Sequence, residues 1–466
     1  MNMRLFDKKT YVQRRAKLCR DVNDGIILLP GNNEMPMNYT DNTYPFRQDS
    51  TFLYFFGIPK PGLFGIIDTD NGESYLFGDD PTIDEIVWTG PQESVHSFQE
   101  RIGANNSFSF KKLKDFISKA KASNRKIHVI PPYREEHRKN IASAMEISDA
   151  DIQKFISREL IEGVVKQRII KSDEELKEIE RAVNISGEMH KAAMKMTRAG
   201  IKEQLIVSKL LEISTSYGGF YSFPPIVTKH GETLHNHYYG NLLEKGDLLL
   251  CDAGAETDMG YAGDLTRTFP VDHTFTQIQK DVYTIILNAH NAAVKALKPG
   301  IAFKEVHLLA CLTLSEGLKE MGLMKGNMND AVEAGAHAMF FQCGLGHLMG
   351  LDVHDMENLG EEFVGYEPGM EKSKQFGLKS LRLGRKLKPG YVLTVEPGLY
   401  FIPSLIDLWK AENKFSDYLN YDEIEKFRNF GGMRVEEDFV ITENESNLLG
   451  EEVPKTINEI ENYINC

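Results

Sequence analysis

Cysteine is scarce: five residues in 466, Cys19, Cys251, Cys311, Cys343 and Cys466, an odd number with no CxxC spacing. That argues against a disulfide framework and against a thiolate zinc site. Long apolar runs are missing too. No stretch approaches the roughly 18 apolar residues of a membrane-spanning helix. The opening MNMRLFDKKTYVQRRAKL holds charge but lacks the apolar core of a secretory signal, so the cytoplasm is the expected location. Positive charge is in short supply, with 54 Lys and Arg against 68 Asp and Glu and a net charge of −14. An acidic surface repels phosphate backbones and anionic lipids, which excludes nucleic acid and membrane as partners. Short-period repeats and low-complexity tracts are absent. What remains is ordinary globular composition, 41% hydrophobic and 26% charged, long enough for two or three domains.

The first 155 residues alternate strand and helix signals. Gly25-Ile-Ile-Leu-Leu-Pro30, Phe64–Asp68, Ser74–Phe77 and Lys126–Ile130 are apolar runs closed by turn residues, with polar helical stretches such as Ser109–Ala122 between them. This predicts a small α/β domain over 1–155. Residues 156–172 are expected to form a helical linker, and Ser172-Asp-Glu-Glu175 is a capping box that opens a long amphipathic helix. From 173 to 466 the pattern is α+β. Helices are expected at Lys202–Thr215, Phe275–Leu297 and Phe303–Met321, and strands at Leu248–Asp252, Val392–Glu396 and Met433–Ile441. The charged Glu357–Gln375 stretch is expected to be a surface loop.

Several of these strands end in carboxylates. Leu248-Leu-Leu-Cys-Asp252 runs straight into an acid, and Tyr261-Ala-Gly-Asp264 follows twelve residues later, so a hairpin would bring both acids to one side. Gly344-Leu-Gly-His347 and Asp352-Val-His354 place two histidines among small residues. Val392-Leu-Thr-Val-Glu396 ends in an acid and is stopped by Pro-Gly. Met433-Arg-Val-Glu436-Glu-Asp438 puts Arg434 and Glu436 on one face of a strand. A carboxylate at the end of a buried strand requires a cation or several donors. Asp252, Asp264, His347, Glu396 and Glu436 together form a hard-oxygen set with one imidazole, suited to Mn, Co, Fe or Zn. Four carboxylates exceed what one zinc usually takes, so two ions sharing bridging acids fit better. The residues by themselves thus describe a candidate dinuclear hydrolase.

DAGAETDMGYAGDLTRTFP, GLGHLMGLDVHD, LTVEPGLY and GMRVEEDFVIT resemble, in order and spacing, the signatures of the pita-bread metallopeptidases, in the Xaa-Pro branch of aminopeptidase P and prolidase. FRQDSTFLYFFGIPKPG resembles a segment of that branch's N-terminal domain. The resemblance implies a pita-bread catalytic domain over 173–466 behind a ribonuclease H-like α/β domain. It implies two divalent ions, most often manganese, with cobalt or zinc as alternatives. Asp252 would bind one ion, Asp264 and Glu436 would bridge both, and His347 and Glu396 would complete the second site. His235 and His354 would contact substrate and stabilise the carbonyl, and Glu396 would pass a proton to the leaving nitrogen. The implied substrates are Xaa-Pro dipeptides or longer peptides with proline at position two.

Arg382, in Ser380-Leu-Arg382-Leu-Gly-Arg385, resembles the prolidase arginine that holds a dipeptide's C-terminal carboxylate. Arg434 is a further expected substrate contact. Trp88 matches a tryptophan that reaches a neighbouring subunit's active site, which implies a homodimer or larger oligomer. Two departures stand out. Cys343 occupies a position where the family commonly has histidine, and the Asp252–Asp264 spacing is one residue longer, read as a larger turn at Glu256–Gly260. Neither removes an expected ligand. The competing reading is a catalytically silent scaffold on the same fold.

Overall fold

A computed structural model of the chain describes residues 3–466. The chain divides into two compact units, one of Met1–Arg168 with Met356–Phe363, the other of Ile169–Asp355 with Val364–Cys466. Among the described residues no helix is long and apolar enough to cross a membrane.

The first unit is built on a five-stranded mixed sheet. Its spatial order is Asn106–Phe108, Ser74–Phe77, Phe64–Asp68, Ile26–Pro30, Ile127–Val129. The two inner pairings are antiparallel and the two outer ones parallel. Alternate residues Ile26, Leu28, Phe64, Ile66, Tyr75 and Phe77 share a core with Leu113, Ile117, Ile141 and Met145 from helices Leu113–Ala122 and Glu135–Met145. Each such side chain contributes about 1.5–3 kcal/mol by leaving water. Helix Arg158–Arg168 falls in this unit.

The second unit starts with helix Asp173–Met196, whose Ser172–Glu175 capping box forms in both directions. That helix packs on an antiparallel sheet of Ile226–Thr228, Leu248–Ala253 and Leu265–Pro270. A second antiparallel sheet joins Val392–Val395, Glu437–Ile441 and Ser446–Leu448. Helix Gln277–Ala296 packs against its first strand and also against helix Phe303–Glu320.

Three local expectations change. The Met433–Ile441 run is two strands. Gly432–Arg434 pairs with Gly398–Tyr400, and Glu437–Ile441 with Val392–Val395. Val435 and Glu436 span the change of partner, where Glu436 bridges to Thr266. Glu357–Gln375 contains the short turns Glu357–Leu359 and Glu361–Val364 rather than loop alone. The extra hairpin length does not lie in one wide turn. Ala255–Glu256 is extended and pairs with Phe220–Tyr221. The reversal is a tight turn over Thr257–Gly260, where Gly260 takes φ +87° without a Cβ penalty.

Candidate metal centre

The hairpin registers Asp252 opposite Thr266 and leaves Asp264 one residue before the returning strand. Both acids sit at the same end of the sheet. The backbone N–H of Asp264 donates to Asp438 Oδ2 (3.0 Å), which fixes its approach. Glu436 is brought in by the bridge to Thr266, its N–H donating to the Thr266 carbonyl (3.1 Å). Thr266 Oγ1 donates to Glu436 Oε2 (2.5 Å).

His347 arrives on a loop that runs beside strand Val392–Val395. Its N–H donates to Thr394 Oγ1 (3.1 Å), and its carbonyl accepts from the Thr394 N–H (3.0 Å). The N–H of Glu396 donates to the Leu345 carbonyl (2.8 Å), so loop and strand carry both residues in register. Gly346 is required here, because a Cβ would stand 2.1 Å from the Thr394 carbonyl oxygen.

These elements converge. Ligand atoms of Asp264, His347 and Glu436 lie within 4.8 Å of one another. His347 Nε2 is 3.3 Å from Asp264 Oδ2 and 3.9 Å from Glu396 Oε1. Asp252, Asp264, His347 and Glu436 keep only 7, 4, 4 and 2% exposure. His347 Nδ1 lies 3.1 Å from the Leu348 carbonyl, a partner that places the proton there and leaves the Nε2 lone pair facing the carboxylates.

The cluster is short of positive charge. Burial pushes the carboxyls of Asp264, Glu396 and Glu436 upward, and neighbouring acids add to it. Asp438 is raised for the same first reason. Oδ1 of Asp252 and Oδ1 of Asp264 are buried without a hydrogen-bond partner. Unsatisfied carboxylate oxygens facing an imidazole lone pair are the chemistry of a hard-cation site, and the donor set fits two divalent ions.

The remaining expected residues fall as follows. Arg434 is 4% exposed, and its Nε donates to Thr266 Oγ1 (3.1 Å), its Nη1 to Tyr400 Oη (2.7 Å) and its Nη2 to Asp252 Oδ2. All three guanidinium nitrogens therefore have protein partners, one of them Asp252. His354 lies against His347, ring centroids 3.9 Å apart. His235 is lowered by burial and by Arg434, with Asp252 opposing; His354 and Arg382 also act on it. Arg382 acts on Glu396 as well, so it belongs to the same neighbourhood. Cys343 is pushed up to about 12 by burial, next to Glu396 and the Tyr400 hydroxyl. Trp88 stands at 87% exposure on helix Ile83–Thr89 of the first unit.

Sequence reasoning missed Thr266, Tyr400 and the site-facing role of Asp438. The Leu265-Thr-Arg-Thr-Phe run held a signal, since Thr266, Arg267 and Thr268 are polar residues buried in a strand. Asp438 was marked by parity: Arg434, Glu436 and Asp438 alternate toward the centre. Glu437 turns away to accept from Arg267 (2.7 Å) and Lys455 (2.7 Å).

The profile of metallopeptidase family M24 matches residues 177–443, and that of the aminopeptidase P N-terminal domain matches residues 11–130. The Xaa-Pro dipeptidase of Homo sapiens is 34% identical over 468 residues, covering 97% of this chain and 92% of that protein. The Xaa-Pro aminopeptidase of Haemophilus influenzae is 30% identical over 467 residues, covering 98% and 97%. Among solved structures, zinc-substituted aminopeptidase P of E. coli in complex with product matches with a TM-score of 0.81 at 27% identity, over 99% of both chains. With a match to the M24 profile that covers more than half of its length and follows an aminopeptidase P-type N-terminal domain in sequence, this chain belongs to metallopeptidase family M24.

Proposed function

We infer that this chain is a dinuclear-metal Xaa-Pro exopeptidase, and that within this class it acts on Xaa-Pro dipeptides. The convergence of Asp264, His347 and Glu436 donor atoms within 4.8 Å carries the reading. We assign Asp252, Asp264, His347, Glu396 and Glu436 as ligands and manganese as the ion, with cobalt or zinc as alternatives. When bound, two such ions supply Lewis acidity toward the scissile carbonyl and a water that deprotonates near neutral pH.

The chain's own residues do the rest. Arg434, locked by Thr266 and Tyr400, holds Asp252 in place. His354 donates toward the carbonyl oxygen as negative charge develops there. Glu396, 3.9 Å from His347 Nε2, relays a proton to the departing proline nitrogen. His235 orients the peptide beside His354. A bond to proline offers no N–H, so recognition rests on the ring and on the chain ends.

Arg382 supplies the dipeptide preference, since a guanidinium fork pairs well with a terminal carboxylate. Arg382→Ala is expected to lower kcat/KM on Xaa-Pro dipeptides by roughly 10- to 100-fold, the worth of a charged hydrogen bond. Xaa-Pro-Yaa tripeptides should change far less. Equal losses on both substrates would remove Arg382 from this role.

The same reading includes a homo-oligomer. Helix Ile83–Thr89 has no buried residue and presents Ile83, Val87 and Trp88 at 75, 74 and 87% exposure. A second copy over that face would remove these apolar groups from water. Trp88→Ala should then shift the sedimentation of the protein toward the monomer; an unchanged profile counts against it. All five cysteines are unpaired, which suits a reducing compartment.

A further inference from the structure

Helix Phe303–Glu320 carries His307 and Cys311 four residues apart, on one face of the helix. The short turn Ala336–Met339 brings His337 to the same place. One ligand atom from each of the three lies within 4.8 Å of the others. The side chains are sealed from solvent, at 1, 0 and 2% exposure. None of them belongs to the carboxylate centre.

Their polar atoms are poorly satisfied. Cys311 Sγ is 3.4 Å from His307 Nε2. His307 Nδ1 and both ring nitrogens of His337 are buried with no hydrogen-bond partner. The Val332 carbonyl lies near enough to favour a charged His337, yet outside hydrogen-bond geometry. Each buried polar group left unpaired costs about 1–3 kcal/mol. One thiol–imidazole contact leaves that cost in place, and a cation held by Cys311 Sγ, His307 Nε2 and one ring nitrogen of His337 would satisfy one of these three nitrogens.

We propose that His307, Cys311 and His337 form a second metal site that takes one d10 cation, Zn2+ or Cu+, distinct from the hard carboxylate centre. Two imidazoles and a thiolate are soft donors that favour these ions over manganese. Zinc bonds of about 2.3 Å to sulfur and about 2.0 Å to nitrogen, at a tetrahedral angle, set sulfur and nitrogen roughly 3.5 Å apart. The observed Sγ–Nε2 separation is 3.4 Å. Burial holds His307 down to about 3 and His337 down to about 4, so both rings are neutral ligands at physiological pH. Binding releases the Cys311 thiol proton to solvent and forms the sulfur–metal bond. The CxxC rule missed this site because its third donor lies in a separate turn, 26 residues after Cys311.

The test uses the full-length enzyme with its carboxylate centre saturated with Mn2+. It is then titrated with Co2+ as a spectroscopic probe, with Zn2+, and anaerobically with Cu+. The expected result is one further equivalent per chain and a sulfur-to-cobalt charge-transfer band in the near ultraviolet. Cys311→Ser should lose both while keeping Xaa-Pro hydrolysis. His337→Gln, read the same way, covers the case in which the first variant fails to fold. Retention of Zn2+ alone after dialysis assigns zinc, and displacement of Zn2+ by Cu+ assigns copper. A wild-type protein that binds no further ion and shows no band overturns the proposal, as does a folded Cys311→Ser protein that keeps the band. Neither failure touches the carboxylate centre, which shares no ligand with this site.

Discussion

Asp264→Asn is expected to lower kcat/KM on Xaa-Pro peptides by at least about 10³-fold, with fewer than two ions retained per chain. One oxyanion donor alone is worth roughly 10²- to 10³-fold, and this substitution weakens the Lewis acid and the source of nucleophile together. Asp264 stands 3.3 Å from His347 Nε2 and carries an unpaired Oδ1. Asparagine keeps its shape, and the N–H bond to Asp438 is a backbone bond, so the local fold survives. The amide loses the charge and turns a donor toward the cation. A second signature separates this from unfolding. Asp264 is a carboxyl raised by burial, so in the metal-free protein its charged form opposes folding at neutral pH. The metal-free variant should therefore melt above the metal-free wild type. Activity within tenfold of wild type would mean Asp264 is not a ligand.

Metal loading should fall with acid, the apparent affinity dropping as the pH is lowered through the range in which Asp264 and Glu436 take up protons. Asp264 and Glu436 are both held well above the ordinary carboxylate range. An entering cation must displace their protons, and each displaced proton weakens binding about tenfold per pH unit. Linkage gives the companion effect on the metal-free fold. The unfolded chain releases these protons first, near pH 4, while the folded cluster still holds them. Metal-free stability therefore declines as the pH rises from there until the folded groups titrate. Metal removes that penalty, so the rise in Tm on adding Mn2+ should be larger at pH 7.5 than at pH 5. Titration calorimetry and thermal melts at both values check this. A pH-independent affinity would place the ion away from these acids.

Asp252 and Glu396 stood out in the sequence as acids that end apolar runs, whereas Asp264, His347 and Glu436 stood out through the motifs around them. The structure brings the donor atoms of Asp264, His347 and Glu436 within 4.8 Å and sets Glu396 3.9 Å from His347. The hairpin that joins Asp252 to Asp264 was legible as well. The split of Met433–Ile441 was not, since strand periodicity is blind to a change of hydrogen-bonding partner. The task of Arg434 was hidden for a related reason. Alternation gave its face, but only three-dimensional contact with Thr266 and Tyr400 shows its nitrogens already engaged. His337 joins His307 and Cys311 through tertiary packing, which no local spacing encodes.

The most direct test of the central claim is hydrolysis of Xaa-Pro dipeptides, Xaa-Pro-Yaa tripeptides and longer Xaa-Pro peptides by the full chain with Mn2+ bound, before and after chelation. Cleavage before proline is predicted, fastest on the dipeptides, lost on chelation and restored by added metal. A protein that holds two ions per chain and cleaves none of these peptides would contradict it.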